Sequence, residues 1–406
     1  MEISESSLSV IYLSRALALA PISVKTNKEG VVTIKRSKVL TIYSIILCLT
    51  LVTLVGTGFK DYCKVKFCVN SSTLQVVTAL DVGMVTLTFI AGIGCGLCSV
   101  KPTQQLNMRL RKIDETLHFY VNFENDRFIS RILAIITPIM FGTIICFDYF
   151  VWMVIGSQHF LAATFNWYLP YYGIYLVIIG SHILYANNAL GLGRRFRRLN
   201  KILKYHFLLD EKRLRKTWVN NLSSDEEHSS HHEFDRLRNQ HSKTRVELLR
   251  LLVDNYESLY KCVEIFSNAF GFAALCNLIS CMLHIVITGH FMIIAIREFS
   301  ITPQTYSQMM WIMMHIFRLL LVVEACHKAT VESKKTIQIV SEIKRKTVEQ
   351  SLAAEFQKFW KYLHTYEVRF SVLGICDINR TILTTFSSGI VTYLFIVLQF
   401  ENTLYL

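Results

Sequence analysis

The stretch RTILTTFSSGIVTYLFIVLQF, from Arg380 to Phe400, sets the class of this protein, and ENTLYL follows it at the end of the sequence. No charged residue occurs between Ile382 and Phe400. At about 1.5 Å per residue, a helix of this length spans roughly 28 Å, which is enough to cross the hydrocarbon core of a bilayer. The stretch is therefore predicted to be a transmembrane helix.

The polar residues of this helix recur at helical spacing, so they share one face: Thr381, Thr385, Ser388, Thr392 and Gln399. A polar stripe is costly against lipid and should face water or another helix. Two interpretations are open. The hydroxyls hydrogen-bond a neighbouring helix, which spacing alone favours, or several copies of the helix surround an axis and line a pore.

The composition is that of a protein with several membrane spans. Hydrophobic residues make up 52% of the 406 residues, and the mean hydropathy of +0.36 is too high for a soluble chain of this size. The net charge of +13 fits basic cytoplasmic loops, and no zinc-finger or RNA-recognition signature points to nucleic acid. No Walker loop, dinucleotide fingerprint or His/Glu metal motif occurs, so the sequence predicts no enzyme, metal or cofactor.

Seven apolar stretches are predicted to cross the membrane in an all-α fold, and they divide the chain into seven parts. These are a cytoplasmic N-terminal segment lying against the inner face (1–38), transmembrane helices 1–4 (39–193), a cytoplasmic loop with a helical extension (194–261), transmembrane helices 5–6 (262–326), a cytoplasmic helical anchor region (327–378), transmembrane helix 7 as the pore helix (379–400) and an extracellular tail (401–406).

The distribution of basic residues predicts the orientation. Alternate sides of the seven spans carry 38 and 4 Lys and Arg residues, and the positive-inside rule places the richer side, with the N-terminus, in the cytoplasm. After seven crossings the C-terminus is extracellular. A G-protein-coupled receptor has the opposite orientation, so a metabotropic seven-helix receptor is the less favoured alternative.

Two cytoplasmic stretches have the periodicity of amphipathic helices that continue below the membrane, whereas Asn220 to Gln240 is predicted to be a flexible loop. Their apolar positions are Val246, Leu249, Val253, Tyr256, Tyr260 and Val263 in the first, and Leu352, Phe356, Phe359, Leu363 and Tyr366 in the second. They either pack together within one chain or join several chains.

A short motif near the C-terminus identifies a related family. The residues from Thr392 to Phe400, TYLFIVLQF, resemble the TYhhhhhQF signature of insect gustatory receptors, in which h is apolar. The resemblance implies a seven-helix, ligand-gated, non-selective cation channel in the plasma membrane of sensory neurons. It further implies a homo- or heterotetramer with other gustatory receptors, joined mainly through the extended cytoplasmic helices.

The resemblance also implies roles for the last helix. Gln399 and Phe400 would form the outer constriction of the pore, while Thr392 and Tyr393 position the helix. Thr385 and Ser388 line the conduit below or bind a neighbouring helix. Our own inference is that Glu401 forms a ring of carboxylates at the mouth, which attracts cations such as Na⁺, K⁺ and Ca²⁺.

Polar groups inside a membrane are energetically costly. Several lie in the predicted outer half of the membrane, among aromatic residues. The candidate ligand-binding residues are Asp81, Asp148, Trp152, Tyr172, His284, Gln308, Trp311 and His315. The aromatic members are equally typical of interface anchors. Arg318 is expected to pair with an acid. The set fits a sugar or a bitter compound as tastant and leans to the aromatic pocket of a bitter receptor.

The first extracellular loop carries two candidate modification sites. Asn70-Ser71-Ser72 is a glycosylation sequon. Cys63 and Cys68 in the same loop either form a local disulfide or remain two free thiols.

Overall fold

A computed structural model describes residues 8–26, 32–64, 72–117, 124–155, 167–209, 231–299, 303–347 and 349–404. In chain order the elements are α1 (Leu8–Ala16), β1 (Ile22–Thr26), β2 (Val32–Arg36), α2 (Lys38–Lys64), α3 (Ser72–Cys98), α4 (Val100–Thr116), α5 (Glu124–Ile155), α6 (Leu169–Leu203), α7 (His231–Phe299), α8 (Pro303–Lys346), α9 (Gln350–Thr365), β3 (Ser371–Val372), β4 (Cys376–Asp377) and α10 (Thr381–Leu404). A π-helical turn, Lys204–Leu209, extends α6.

Seven apolar helices form the bundle, and this prediction is confirmed. Six of them, α2, α3, α5, α6, α7 and α8, are long and apolar enough to cross a membrane by length and composition. The seventh is α10, which is uncharged from Thr381 to Phe400. The β-strands form only two short antiparallel hairpins in the described part of the chain, β1 with β2 and β3 with β4. The fold is all-α, and its orientation in the membrane remains a prediction.

Helices α6, α7 and α8 continue well past the predicted spans. Their ends join α4 and α9 in a layer below the bundle, which is called the base. The helix α7 begins at His231, so the predicted loop at 220–240 is wrong from that residue onward. The reason is the apolar stripe farther along α7, where Leu249 and Tyr256 are fully buried and favour a continuous helix.

The two predicted amphipathic helices pack against each other within one chain. Leu352, Phe356, Phe359 and Leu363 of α9 are at most 1% exposed, whereas Tyr366, just after α9, is exposed. The ring of Phe359 lies 5.8 Å from that of Tyr256 on α7. Full burial of such side chains contributes roughly 1.5–3 kcal/mol each, so these contacts stabilise the base.

Helix α4 connects α3 to α5 and is not among the predicted helices. Its apolar residues Leu106, Leu110 and Ile113, with Leu117 beyond its end, are at most 3% exposed and join the core of the base. They recur at steps of four, three and four, which is the periodicity of an amphipathic helix. That signal was present in the sequence and was missed because charged residues surround it.

The N-terminal segment inserts between α3 and α6 and does not merely lie against the bundle. Val10, Ile11 and Leu19 are at most 3% exposed. Two side chains of α2 hold the turn after α1, where Tyr43 donates to the Ala16 carbonyl at 2.7 Å and Ser44 to the Ala18 carbonyl at 2.9 Å. The chain runs so close to α3 that a Cβ on Gly96 would lie 2.2 Å from the Leu19 carbonyl oxygen.

Candidate ligand site and pore-lining helix

Five helices bring polar and aromatic side chains together at the end of the bundle opposite the base. The group, called the polar–aromatic cluster, consists of Asp81, Asp148, Tyr171, Tyr172, Tyr175, His284, Ser307, Trp311, His315 and Arg318. It takes members from α3, α5, α6, α7 and α8. The sequence places each of them in an apolar helix, where polar groups must find partners inside the protein.

Asp148 ties α5 to both α6 and α8. The hydroxyl of Tyr172 donates to one carboxylate oxygen and the hydroxyl of Ser307 donates to the other. The residue is 5% exposed, so these two hydroxyl groups take the place of water around the carboxylate. Hydrogen bonds to a charged group contribute about 1.5–3 kcal/mol each, which makes this a strong junction.

Asp81 ties α3 to both α6 and α7. Its Oδ2 accepts a hydrogen bond of 2.7 Å from the Tyr171 hydroxyl, and its Oδ1 lies 3.2 Å from His284 Nε2. The His284 side chain is 2% exposed and the Asp81 side chain is 21% exposed. Both carboxylate oxygens of Asp81 therefore contact a side chain, as those of Asp148 do.

Aromatic rings fill the space between the two acids. The Trp311 ring stacks on the Tyr172 ring at 6.5 Å and on the His315 ring at 5.8 Å. Tyr175 lies at the centre, with its ring 5.0 Å from that of Trp311 and 5.7 Å from that of His284. Such packing places aromatic rings beside hydrogen-bonding groups, and small-molecule sites combine the same two kinds of group.

Arg318 is the charged group at the deep side of the cluster. It is 1% exposed, its Nη1 donates to His315 Nδ1 at 3.1 Å, and its guanidinium lies 5.7 Å from the centre of the Tyr175 ring. The expected pairing with an acid is not observed, since no carboxylate among the described side chains is within ion-pair distance. Its Nε and Nη2 likewise have no hydrogen-bond partner in the described part of the chain.

The structure brings six of the eight predicted ligand-binding residues into this cluster: Asp81, Asp148, Tyr172, His284, Trp311 and His315. Gln308 is half-buried and forms no hydrogen bond with a described side chain, and the Trp152 side chain lies outside the described residues. The predicted set omitted Tyr171, Tyr175, Ser307 and Arg318. The spacing of the tyrosines on α6 was a usable signal for two of them.

Helix α10 packs on the bundle with one face only. Ile382 belongs to the buried core, and the half-buried Leu383 and Phe386 pack against it. Farther along, a Cβ on Gly289 of α7 would be 3.5 Å from Leu394. At its start, Arg380 forms a two-pronged ion pair with Glu324 of α8, with nitrogen–oxygen distances of 2.7 and 2.8 Å. The same helix α8 thus carries the deep part of the cluster and the attachment of α10.

The polar stripe of α10 faces away from the rest of the chain. Thr385, Ser388, Thr392 and Gln399 are all exposed. The hydroxyl of Thr385 donates to the Thr381 carbonyl at 3.2 Å and that of Thr392 to the Ser388 carbonyl at 2.8 Å, both within α10. Neither hydroxyl donates to another helix of this chain. The stripe is therefore open to whatever lies outside the chain, whether lipid, water or a second chain.

Several predicted positions lie outside the described residues. They are the side chains of Cys63, Phe400 and Glu401 and the loop residues Cys68 and Asn70.

The fold is that of a membrane protein with a buried polar–aromatic cluster, and comparison with known proteins gives its family. Residues 8–403 match the sequence profile described as 7tm Chemosensory receptor, so the chain belongs to that family. It is 39% identical to gustatory receptor for sugar taste 43a of Drosophila melanogaster, covering 99% of this chain and 100% of the relative. The putative gustatory receptor 28b of that organism is 30% identical over 22% of this chain and 19% of its own length. The protein is an insect-type gustatory receptor and not an enzyme.

Solved structures agree on the fold. The insect olfactory receptor OR5 from Machilis hrabei superposes with a TM-score of 0.62 at 12% identity, over 96% of both chains. The complex of that receptor with eugenol superposes with a TM-score of 0.60, also at 12% identity and 96% coverage of both.

Proposed function

We propose that this receptor is a tetrameric cation channel opened by a sugar, in which α10 from each of four copies surrounds the pore. The observation that carries the proposal is the exposed stripe of Thr385, Ser388, Thr392 and Gln399 on the face of α10 that avoids its own chain. One stripe per chain cannot enclose water, but four stripes around an axis can. The plasma membrane of sensory neurons is the proposed location, with the N-terminus cytoplasmic and the C-terminus extracellular.

The gate is proposed to lie at the outer end of this pore. In the TYhhhhhQF motif, Phe400 supplies a hydrophobic barrier that excludes ions by dewetting, and Gln399 offers polar contacts when the barrier widens. Glu401 beyond it would attract Na⁺, K⁺ and Ca²⁺ as a ring of carboxylates. Subunit contacts through α7 and α9 at the base would hold the four copies together.

The polar–aromatic cluster is the proposed tastant site, and its charges favour a neutral, hydroxyl-bearing ligand. Asp81 and Asp148 each already have a side-chain partner on both oxygens, so part of their accepting capacity is used in holding helices together. The buried guanidinium of Arg318 repels such a cation and can donate to hydroxyl oxygens. The name of the 39% identical relative, a receptor for sugar taste, supports the same ligand class over a bitter compound.

Coupling between the two sites is proposed to run through α8. Trp311, His315 and Arg318 lie on this helix. Glu324 of the same helix forms the ion pair with Arg380 at the start of α10. A ligand that fits one position of α8 better than another shifts the population of channels in that position. The Glu324–Arg380 ion pair would transfer the movement to α10.

The test is whole-cell recording from cells that express this chain alone. Sugars are expected to evoke a non-selective cation current, whereas cationic bitter compounds are expected to evoke none. Replacing Phe400 by alanine is expected to give current without any tastant, while Phe128→Ala, the same change at an exposed position on α5, serves as the matched control. A current that needs a G-protein pathway, or a response to organic cations but not sugars, contradicts the proposal.

A further inference from the structure

We propose that the hairpin of β3 and β4 (371–377) inserts its tip into the headgroup layer of the membrane, on the side of the base, and binds phospholipid there. The hairpin belongs to the segment 327–378, for which the sequence predicts a cytoplasmic location. Its placement at the membrane depends on the membrane fold and on the contacts of the hairpin, and is independent of channel activity.

The tip of the hairpin carries apolar side chains on a strained turn. The Ile375 amide donates to the Val372 carbonyl at 2.9 Å and closes a turn in which Leu373 has a φ of 54° and Gly374 a φ of 72°. Turns with positive φ at both positions favour Asn, Asp or Gly, and a leucine at the first position is conformationally costly. Leu373 and Ile375 are nevertheless 52% and 69% exposed. Strain of this kind is typical of functional contacts, and these side chains suit an apolar partner.

The foot of the hairpin is fixed in the core, which sets the direction of the tip. Phe370 and Val372 are at most 1% exposed, and the Phe370 ring lies 6.2 Å from that of Phe266 on α7. At the tip, a Cβ on Gly271 of α7 would lie 3.4 Å from the Leu373 backbone nitrogen. The hairpin therefore rises along α7 from Phe266 to Gly271, away from the base and toward the membrane-spanning part.

The depth of the tip follows from the two helices beside it. Helix α10 runs in the same direction as α7, and Leu394 would contact a Cβ on Gly289. From Gly271 to Gly289 α7 rises about 27 Å, whereas α10 rises about 20 Å from Thr381 to Leu394. Leu373 therefore lies about 7 Å below the start of α10, where the uncharged span begins. A headgroup layer is roughly 5–7 Å thick, so the tip reaches into it.

The charges of the hairpin lie at its foot, farther from the membrane than the tip. Arg369 is 2.6 Å from Glu367 and 3.7 Å from Asp377, and its side chain is 59% exposed. Segments that bind in the membrane interface direct charged groups toward water and apolar groups toward the acyl chains. The hairpin has this order along α7, and the long Arg369 side chain can reach lipid phosphates from below.

The surface of α7 next to the tip favours lipid over a second copy of the chain. Phe272 follows Gly271 and is 47% exposed, and Ile279, two turns farther along α7, is 41% exposed. Exposed apolar side chains at membrane depth need no protein partner, because acyl chains are equally apolar. The stripe of α10 is polar, whereas Leu373 and Ile375 continue this apolar flank of α7.

The experiment uses the full-length receptor in phosphatidylcholine nanodiscs and the photoreactive variant Ile375→benzoylphenylalanine. Illumination is expected to give receptor chains that are heavier by one phospholipid, as measured by intact-mass spectrometry. The same residue at Ile139, 60% exposed on the membrane-spanning helix α5, is expected to give lipid adducts in similar yield. At Lys358, 73% exposed on α9 in the base, the yield of lipid adducts is expected to be several-fold lower.

Two results overturn the proposal. Covalent dimers of the receptor from the Ile375 variant would show that a second copy covers the tip. A lipid yield as low as that of the Lys358 variant would place the tip in water. If the photoreactive variant does not fold, the smaller change Ile375→Cys decides, with wild type giving the background of native cysteines. Reaction with a lipid-soluble thiol reagent and not with a charged one is then expected, and the reverse preference overturns the proposal.

Discussion

Replacing Asp148 by alanine is expected to abolish the tastant-evoked current and to lower the free energy of unfolding by about 2–5 kcal/mol. The substitution leaves the hydroxyls of Tyr172 and Ser307 buried without the acceptor that both now use. Each unsatisfied donor costs about 1–3 kcal/mol, and release of the carboxylate from burial offsets part of the sum. Detergent-solubilised receptor followed by thermal or denaturant unfolding gives the stability, and whole-cell recording gives the response.

Asp148→Asn is the matched variant. Its amide oxygen accepts from one hydroxyl, and its amide nitrogen donates to the other, which can accept after rotation. Most of the stability is therefore expected to survive. Equal damage from alanine and asparagine would show that the charge, and not the two hydrogen bonds, holds α5 to α6 and α8.

Replacing Gly96 by alanine is expected to destabilise the receptor by about 1–3 kcal/mol or more. The added Cβ would lie 2.2 Å from the Leu19 carbonyl oxygen, and this backbone cannot move without displacing the N-terminal segment from between α3 and α6. Gly94→Ala, two residues earlier on the same helix, meets nothing within 4 Å and is expected to stabilise by up to about 1 kcal/mol through helix propensity.

The comparison of these two glycine variants uses one thermal unfolding assay. Both variants add one methyl group to the same helix, so a difference in their stability reports the contact with Leu19. If Gly96→Ala is as stable as Gly94→Ala, the N-terminal segment does not insert as described.

The seven apolar helices were predictable because lipid demands long uncharged stretches, and the steps of Leu352, Phe356, Phe359 and Leu363 predicted the buried face of α9. The insertion of the N-terminal segment was not predictable, since nothing in the sequence around Leu19 specifies that its backbone packs against Gly96. Helix α4 was missed because its apolar stripe is diluted by charged residues. These features depend on packing between distant segments, which one sequence does not record.

The sequence could identify the unusual residues of the candidate site, because a carboxylate such as Asp81 inside a membrane needs a partner. The partners themselves were not predictable. Arg318 was expected beside an acid and lies instead on His315 and Tyr175. The direction of the α10 stripe was also not predictable, because spacing alone favours a neighbouring helix without excluding a pore.

Cysteine accessibility on α10 tests the pore most directly. Thr392→Cys and Ser388→Cys place thiols on the exposed stripe, whereas Ile390→Cys places one on a half-buried position of the same helix. If α10 lines the pore, a water-soluble, charged thiol reagent reduces the tastant-evoked current of the first two variants and leaves Ile390→Cys and wild type unchanged. Equal insensitivity of all three variants, with normal currents, would contradict a pore lined by α10.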